Sequence, residues 1–411
     1  VTTTIAVARA EVAADRARVA YVAFLAFIFQ IYASLPQLVP ALGLLAPGKT
    51  LIGLAALALG WSCIVGRRPF RVGAVAGGKV LYIFFAIIAA SPLWSLWPKL
   101  SFDTTAEGVK FFAAFVVAVN VLDTRRRVRQ AAAAIALASL FPALGAIWNF
   151  TTGADLIEHT RAVWIGVFRN PNFLAYHLVV SSALVLALRD TTRKGSPMRQ
   201  VWLAVLGIFA AAILLTESRG GSLGMGAVLL LWLGRGMARG KVAIGAALAV
   251  AIALLVTPMS PLNREYTQEN LSGVVDISTQ GRIDAWRTAL RMVYDRPLLG
   301  VGAGAFVLGY AIYAPGDAGP PLTAHNSFAV LASELGLPAL AVFACALVAS
   351  FRALRRVARA APPRSATMAR GLQTAIFGFV VCSMVGSYAF SWPIYFCFGM
   401  AAALTLREQQ A

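Results

Sequence analysis

Long apolar runs separated by short polar connections dominate the chain. They fall at roughly 20–33, 50–65, 73–90, 107–122, 130–148, 172–188, 200–215, 221–234, 242–257, 326–351, 370–388 and 392–406. A helix needs about 20 apolar residues to cross the hydrocarbon core of a bilayer. In lipid the backbone polar groups must be satisfied within the segment, so runs of this kind are read as helices. The pattern predicts an all-α integral membrane protein with about twelve transmembrane helices. Residues 1–257 hold the first nine spans and their short loops, 258–325 form one long loop, and 326–411 hold the last three spans. Ser34 to Thr50 contains three prolines and reads as a re-entrant or interfacial connector, or as an additional short helix.

Composition agrees with this pattern. The chain is 59% hydrophobic and 13% charged, with a mean hydropathy of +0.74, where a soluble protein carries about a quarter charged residues. Arg9, Arg16 and Arg18 precede the first apolar run like the start of a signal peptide. No clean small-residue cleavage site follows, so an uncleaved first helix is expected. Cys63, Cys345, Cys382 and Cys397 all sit inside apolar runs and suggest packing rather than a disulfide framework.

The net charge of +19 would point to nucleic acid in a soluble protein. Here the basic residues are clustered between spans, which sets orientation instead, and no nucleic-acid partner is expected. Arg67, Arg68, Arg71 and Lys79 form one cluster, and Arg125, Arg126, Arg127 and Arg129 the next. Arg189, Arg193, Lys194 and Arg199 follow, then Arg235, Arg239 and Lys241. Arg352, Arg355, Arg356, Arg359, Arg364 and Arg370 make the last. All fall on the side that alternation assigns to the N-terminus. The positive-inside rule makes that side cytoplasmic, with both ends of the chain inside.

The opposite side holds 34–49, 91–106, 149–171 and the long loop. Trp94 and Trp97 suit an interfacial aromatic belt there. A loop beyond about 15 residues carries structure or function of its own. Within it, Arg282 to Arg296 reads as a helix with Ile283, Trp286, Leu290 and Val293 at helical spacing. Pro297 and the glycines Gly300, Gly302 and Gly304 end it. An amphipathic helix lying on the outer membrane surface is expected.

With the inside assigned, the arginines left outside stand out: Arg161, Arg169, Arg219, Arg264, Arg282, Arg287, Arg291 and Arg296. Arg219 lies in Glu217-Ser218-Arg219-Gly220-Gly221. It reads either as a snorkelling side chain paired with Glu217 or as an anion contact in a cavity. Arg282, placed at the start of the amphipathic helix, reads either as an anion contact aided by the helix N-terminus or as a solvated residue paired with Asp284. Arg161 and Arg169 flank an aromatic-rich loop and suit either a lipid phosphate or interfacial anchoring.

The three histidines, His159, His177 and His325, have no metal-ligand spacing, and neither a metal nor any other cofactor is expected. His177 lies within a span and reads as a core residue. Glu334, beside Gly336 and Pro338, reads as a paired structural carboxylate. His325 stands with Asn326 where the long loop re-enters the membrane. There it is either a general base or a helix-start hydrogen-bonding residue.

Taken in order, Phe168-Arg169-Asn170-Pro171-Asn172, Ser218-Arg219-Gly220-Gly221, Gly281-Arg282 with Trp286, Arg296-Pro297-Leu298-Leu299-Gly300-Val301-Gly302 and His325-Asn326-Ser327 resemble the O-antigen ligase family. The resemblance covers roughly residues 160–340. It implies a glycosyltransferase of the bacterial inner membrane whose active site faces the periplasm, so that the long loop would be periplasmic. The implied donor is a polysaccharide on undecaprenyl pyrophosphate and the implied acceptor a hydroxyl of lipid A–core, with membrane lipids around a monomer. The implied reaction, in lipopolysaccharide biosynthesis, is metal-independent and inverting. His325 would be the general base, Arg219 and Arg282 would bind the pyrophosphate, and Arg161 and Arg169 would support them. O-antigen polymerases and protein O-oligosaccharyltransferases share this donor and layout and differ in acceptor. A transporter of an anionic solute is the alternative from another class, but no inverted repeat is visible.

Overall fold

A computed structural model describes residues 2–65, 69–71, 76–235, 277–316 and 321–410, with side chains described from Ala17 onward except at 76–77 and 277–280. The main helices are α1 (Thr2–Ala33), α2 (Pro47–Val65), α3 (Ala76–Ala90), α4 (Pro98–Val121), α5 (Arg125–Ala138), α6 (Leu140–Thr152), α7 (Pro171–Thr191), α8 (Met198–Leu215), α9 (Arg219–Leu233), α10 (Ile277–Asp295), α11 (Phe306–Tyr313), α12 (Ser327–Ala360), α13 (Pro363–Ser383) and α14 (Trp392–Gln409). The strands among the described residues are a two-residue pair, β1 (Leu156–Ile157) and β2 (Arg161–Ala162).

Each expected span except 242–257 overlaps helical residues, 130–148 being divided between α5 and α6; 242–257 lies outside the described residues. Among the described residues, six helical stretches are long and apolar enough to cross a membrane: α2, α4, α5 with α6, α7, α8 and α12. The predicted span at 130–148 is broken at Ser139, whose hydroxyl donates to the Ile135 carbonyl and also meets Ser181 Oγ at 2.9 Å. Pro142 lacks the N–H that would continue the ladder there. The 34–50 connector contains two single-turn helices, Leu35–Leu38 and Pro40–Gly43. The cysteines are all free, and Cys382 and Cys397 are buried.

α7 is the centre of the bundle. It is buried along 89% of its apolar window, against 28% for its neighbour α8. It packs against α13, α8, α9 and α5, while α12 packs against α3 and α13, and α14 against α4. Small residues permit close approach along α7. A Cβ at Gly221 would lie 2.4 Å from the Ala175 Cβ, and one at Gly371 2.4 Å from the Ala187 Cβ.

Among the described residues, polar contacts between connections gather at two ends of the bundle. At one end Arg125 pairs with Glu408, Arg129 reaches Thr192, and Arg235 reaches Thr374. At the other, Asn149 reaches Val163, Thr160 reaches Glu217, and Asn326 reaches Met384.

The described part of the long loop is folded onto this second end and has a core of its own. Ala285, Ala289, Met292, Val301, Ala305, Phe306, Tyr310, Ala324 and Val330 bury together. One expectation about α10 is corrected. It begins at Ile277 rather than at Arg282, so Arg282 sits in its second turn and not at a free N-terminus. Its inward face is Asp284, Ala285, Thr288, Ala289 and Met292, while Trp286, Leu290 and Tyr294 are 41%, 69% and 91% exposed, an outward apolar face compatible with the amphipathic helix expected. Small side chains let α10 lie close against α12, which turns the large apolar ones outward.

The Arg296–Gly302 segment is built into α12. The N–H of Val301 donates to Ser333 O, that of Gly302 to Glu334 O, and that of Leu337 to Pro297 O. α12 breaks at Gly336, at φ 86° and ψ 167°, where a Cβ would lie 2.2 Å from the Leu298 oxygen. Gly300, at φ 68°, is equally constrained by the Glu334 carbonyl. Buried Glu334 accepts the N–H groups of Gly304 at 2.8 Å and Phe306 at 3.0 Å, which is the structural role read for it.

Candidate functional site

Three of the sequence motifs are helix starts. Asn170 caps α7, accepting the N–H groups of Asn172 and Phe173, with Pro171 in the first turn. Ser218 caps α9 by accepting from Gly221 N–H. Asn326 caps α12 by accepting from Phe328 and Ala329. The residues just before the last two caps, Glu217 and His325, both have left-handed backbones, at φ 50° and 46°. Side chains pay about 1–2 kcal/mol to sit there. The next residue is thereby turned into each helix.

These starts gather around one turn that the sequence reading missed. α13 ends at Ser383 instead of running to 388, and residues 384–388 form a turn. Asn326 Nδ2 donates to Met384 O at 3.2 Å. Ser327 Oγ donates to Gly386 O at 2.8 Å and accepts Tyr388 N–H at 2.7 Å. Tyr388 Oη donates to the carbonyl of Asn172 at 3.1 Å. Val385 lies against Gly220, where a Cβ would come within 2.6 Å of it, and Cys382 Sγ is 3.5 Å from Gly220 O. The N-terminal ends of α7, α9 and α12 therefore share one neighbour, and their dipoles direct positive potential toward the same end of the protein.

His325 is half-buried at this junction. Burial, and then the charge of Arg282, hold its imidazole below its ordinary value of 6.5, which favours the unprotonated ring. Asn326, not His325, makes the cap hydrogen bonds of α12. The indole of Trp286 donates to Ala324 O at 2.9 Å, which fixes α10 beside the residue preceding His325. Arg282 and Arg161 also act on Tyr388, whose phenol is raised by burial above its ordinary range; the two cations oppose that rise.

The four candidate arginines differ in environment. Arg219 is exposed at the first position of α9 and makes no ion pair among the described residues. Glu217, its proposed partner in one reading, accepts from Thr160 Oγ1 at 3.1 Å. Arg282 is half-buried between α10 and the His325 segment. Arg161 is 8% exposed; its Nε donates to Thr216 O and its Nη2 to Asn172 Oδ1, both at 3.0 Å, with Glu158 at 3.6 Å. It ties β2 to the start of α7 and to the α8–α9 turn. Arg169 is mostly exposed and pairs with Asp155 at 3.0 Å.

His177 sits in the core, behind the Phe173 and Tyr176 rings that contact Tyr388. It is enclosed by Tyr32, Phe168, Phe173 and Tyr176, at ring separations of 4.9 to 5.6 Å. Among the described residues no three His, Cys, Asp or Glu side chains gather as a metal site would require.

Residues 203–344 match the O-antigen ligase family. The match runs from α8 to the middle of α12 and includes Arg219, Arg282 and His325; Arg161 and Arg169 precede it. No curated protein matches the chain. The matched segment thus contains the starts of α9 and α12 that meet the 384–388 turn, while the start of α7 lies before it and the turn itself after it. Glycosyltransferase-like ligase activity is associated with this family, and the apolar helices are those of a multi-pass membrane protein.

Proposed function

We propose that the protein is an inner-membrane glycosyltransferase that moves an O-antigen polysaccharide from undecaprenyl pyrophosphate to a lipid A–core hydroxyl at the periplasmic face. The observation that carries this reading is the convergence of the SRGG, GR and HNS segments of the matched region on one junction, where burial and Arg282 lower the His325 imidazole.

In this reading the acceptor oxygen attacks the anomeric carbon from the face opposite the leaving group. An imidazole nitrogen of His325 takes the hydroxyl proton, the bond from the anomeric carbon to the pyrophosphate oxygen breaks, and undecaprenyl pyrophosphate departs. Attack from the opposite face inverts the anomeric centre. Arg219 and Arg282, with the helix N-termini behind them, stabilise the charge that gathers on the departing pyrophosphate without a metal ion. Arg161 holds the β2 loop and the α7 start in place, and Arg169 lies at the rim. The exposed Trp286, Leu290 and Tyr294 face of α10 suits contact with lipid chains at the outer leaflet.

A ligation assay with purified protein, lipid-linked donor and lipid A–core tests the reading. His325→Ala should lose about 10²- to 10⁴-fold in rate, the usual contribution of a general base. The assay should also be insensitive to chelators. Transfer only to a growing glycan, or only to a protein hydroxyl, would replace the ligase reading with polymerase or protein oligosaccharyltransferase activity.

A further inference from the structure

α12 runs 34 residues and leaves its apolar stretch at Phe351. Arg352, Arg355, Arg356 and Arg359 then recur at the i, i+3, i+4 and i+7 positions, which lie along one helix face. All four are exposed, while the intervening Ala353, Leu354 and Val357 are buried against the bundle. None of the four makes an ion pair among the described residues. No Asp or Glu occurs between Glu334 and Glu408, and Glu408 is already held by Arg125 and Ser365. Exposed Arg364 and Arg370, on the first turns of α13, extend the same basic surface. Nearby Arg235 donates to Arg370 O and Thr374 Oγ1, and its guanidinium is pushed down to about 10 by burial and then by the charge of Arg370. The positive charges here are crowded rather than neutralised.

We propose that this arginine face of α12, with Arg364 and Arg370, binds the phosphate headgroups of anionic phospholipids. The proposal rests on the membrane orientation and is independent of the glycosyl-transfer reading. Orientation alone requires only that basic residues lie on this side. It does not require four of them on one face with the buried stripe turned away. The face begins one residue beyond the apolar stretch, so its guanidiniums meet the headgroup layer, within a Debye length of its charge. A planar guanidinium fork suits phosphate oxygens. Phospholipid, rather than a soluble polyanion, is the occupant because the helix delivers the face directly from the hydrocarbon core.

The test uses the purified full-length protein in neutral detergent and follows its thermal unfolding midpoint. Three probes are titrated: phosphatidylglycerol, phosphatidylcholine and inorganic phosphate. Phosphatidylglycerol should raise the midpoint more than phosphatidylcholine does, and added salt should remove the difference. The R352Q/R355Q/R356Q/R359Q variant should lose most of that difference, whereas the corresponding four-lysine variant should keep most of it. Equal shifts with the two lipids overturn the proposal, as does a glutamine variant that responds like the wild type. Inorganic phosphate reproducing the full shift also overturns it, in favour of a free-phosphate site. If the glutamine variant fails to insert, the salt titration of the wild type decides: a salt-insensitive preference for phosphatidylglycerol counts against the arginines.

Discussion

The backbone N–H of Tyr388 donates to the hydroxyl of Ser327 across 2.7 Å, and that hydroxyl donates in turn to the neighbouring Gly386 carbonyl at 2.8 Å. One side chain thereby fastens the first residue of α12 to the 384–388 turn, two positions from His325. Ser327→Ala leaves a buried N–H unpaired, which costs about 1–3 kcal/mol. The variant should show a lowered unfolding midpoint together with a reduced kcat, because the backbone that carries His325 loses its anchor. Ser327→Thr, which keeps the hydroxyl, should recover part of both. A Ser327→Ala enzyme that is destabilised but turns over normally would detach the turn from catalysis.

The pH dependence follows from His325 and its cation. Burial and Arg282 both lower the imidazole below 6.5. A base works only when unprotonated, so the acid limb of the rate profile should lie below pH 6.5. Removing the Arg282 charge removes one of the two causes and raises the imidazole. In Arg282→Gln the acid limb should therefore move to higher pH, while burial keeps it below the ordinary value. The measurement is kcat/KM against pH for both proteins, which reports the free enzyme; a limb that stays fixed, or moves down, contradicts the assignment.

The junction between the long loop and α12 yields a prediction about stability. Glu334 is buried and accepts two backbone N–H groups, while Gly336 occupies a conformation that other residues rarely adopt, directly against Leu298. Glu334→Ala should cost about 2 kcal/mol or more, since two donors lose their acceptor. Gly336→Ala adds both backbone strain and a clash. Both variants should unfold earlier and expose the 296–306 segment to protease. Retention of the wild-type midpoint by both would remove the structural role given to this junction.

What was legible in the sequence follows from how each element is encoded. The spans could be read because lipid demands long apolar runs. The motif segments were read through their resemblance to a family; the structure shows that they encode caps at Asn170, Ser218 and Asn326 and close approaches at Gly220 and Gly300. The 384–388 turn could not be read. It works mainly through backbone groups, and Met384 and Val385 continue the apolar run of α13, so the span reads on to 388. The start of α10 was read at Arg282, where the apolar spacing begins, but the helix also includes the largely polar stretch from Ile277 through Gly281. The stripe of Trp286 and Leu290 was legible, but not the face of α10 that packs inward. Spacing identifies a stripe, but the small residues 285, 288 and 289 decide which side can approach α12.

Arg219 and Arg161 separate binding from support. Arg219 is exposed and without an ion pair among the described residues, so Arg219→Ala should leave the unfolding midpoint nearly unchanged. Its effect should fall on the donor. A hydrogen-bonded contact to a charged group contributes about 1.5–3 kcal/mol, or roughly 10- to 100-fold in kcat/KM. Arg219→Lys keeps the charge but not the planar fork, and should recover only part of that loss. Arg161 is buried with its donors committed to Thr216 and Asn172, and Arg161→Ala should cost about 3 kcal/mol of stability by leaving those partners uncompensated. Thermal unfolding and donor-dependent kinetics on the two alanine variants give the comparison. If Arg219→Ala loses stability and Arg161→Ala loses only donor affinity, the two roles are reversed and the pyrophosphate lies nearer β2 than the start of α9.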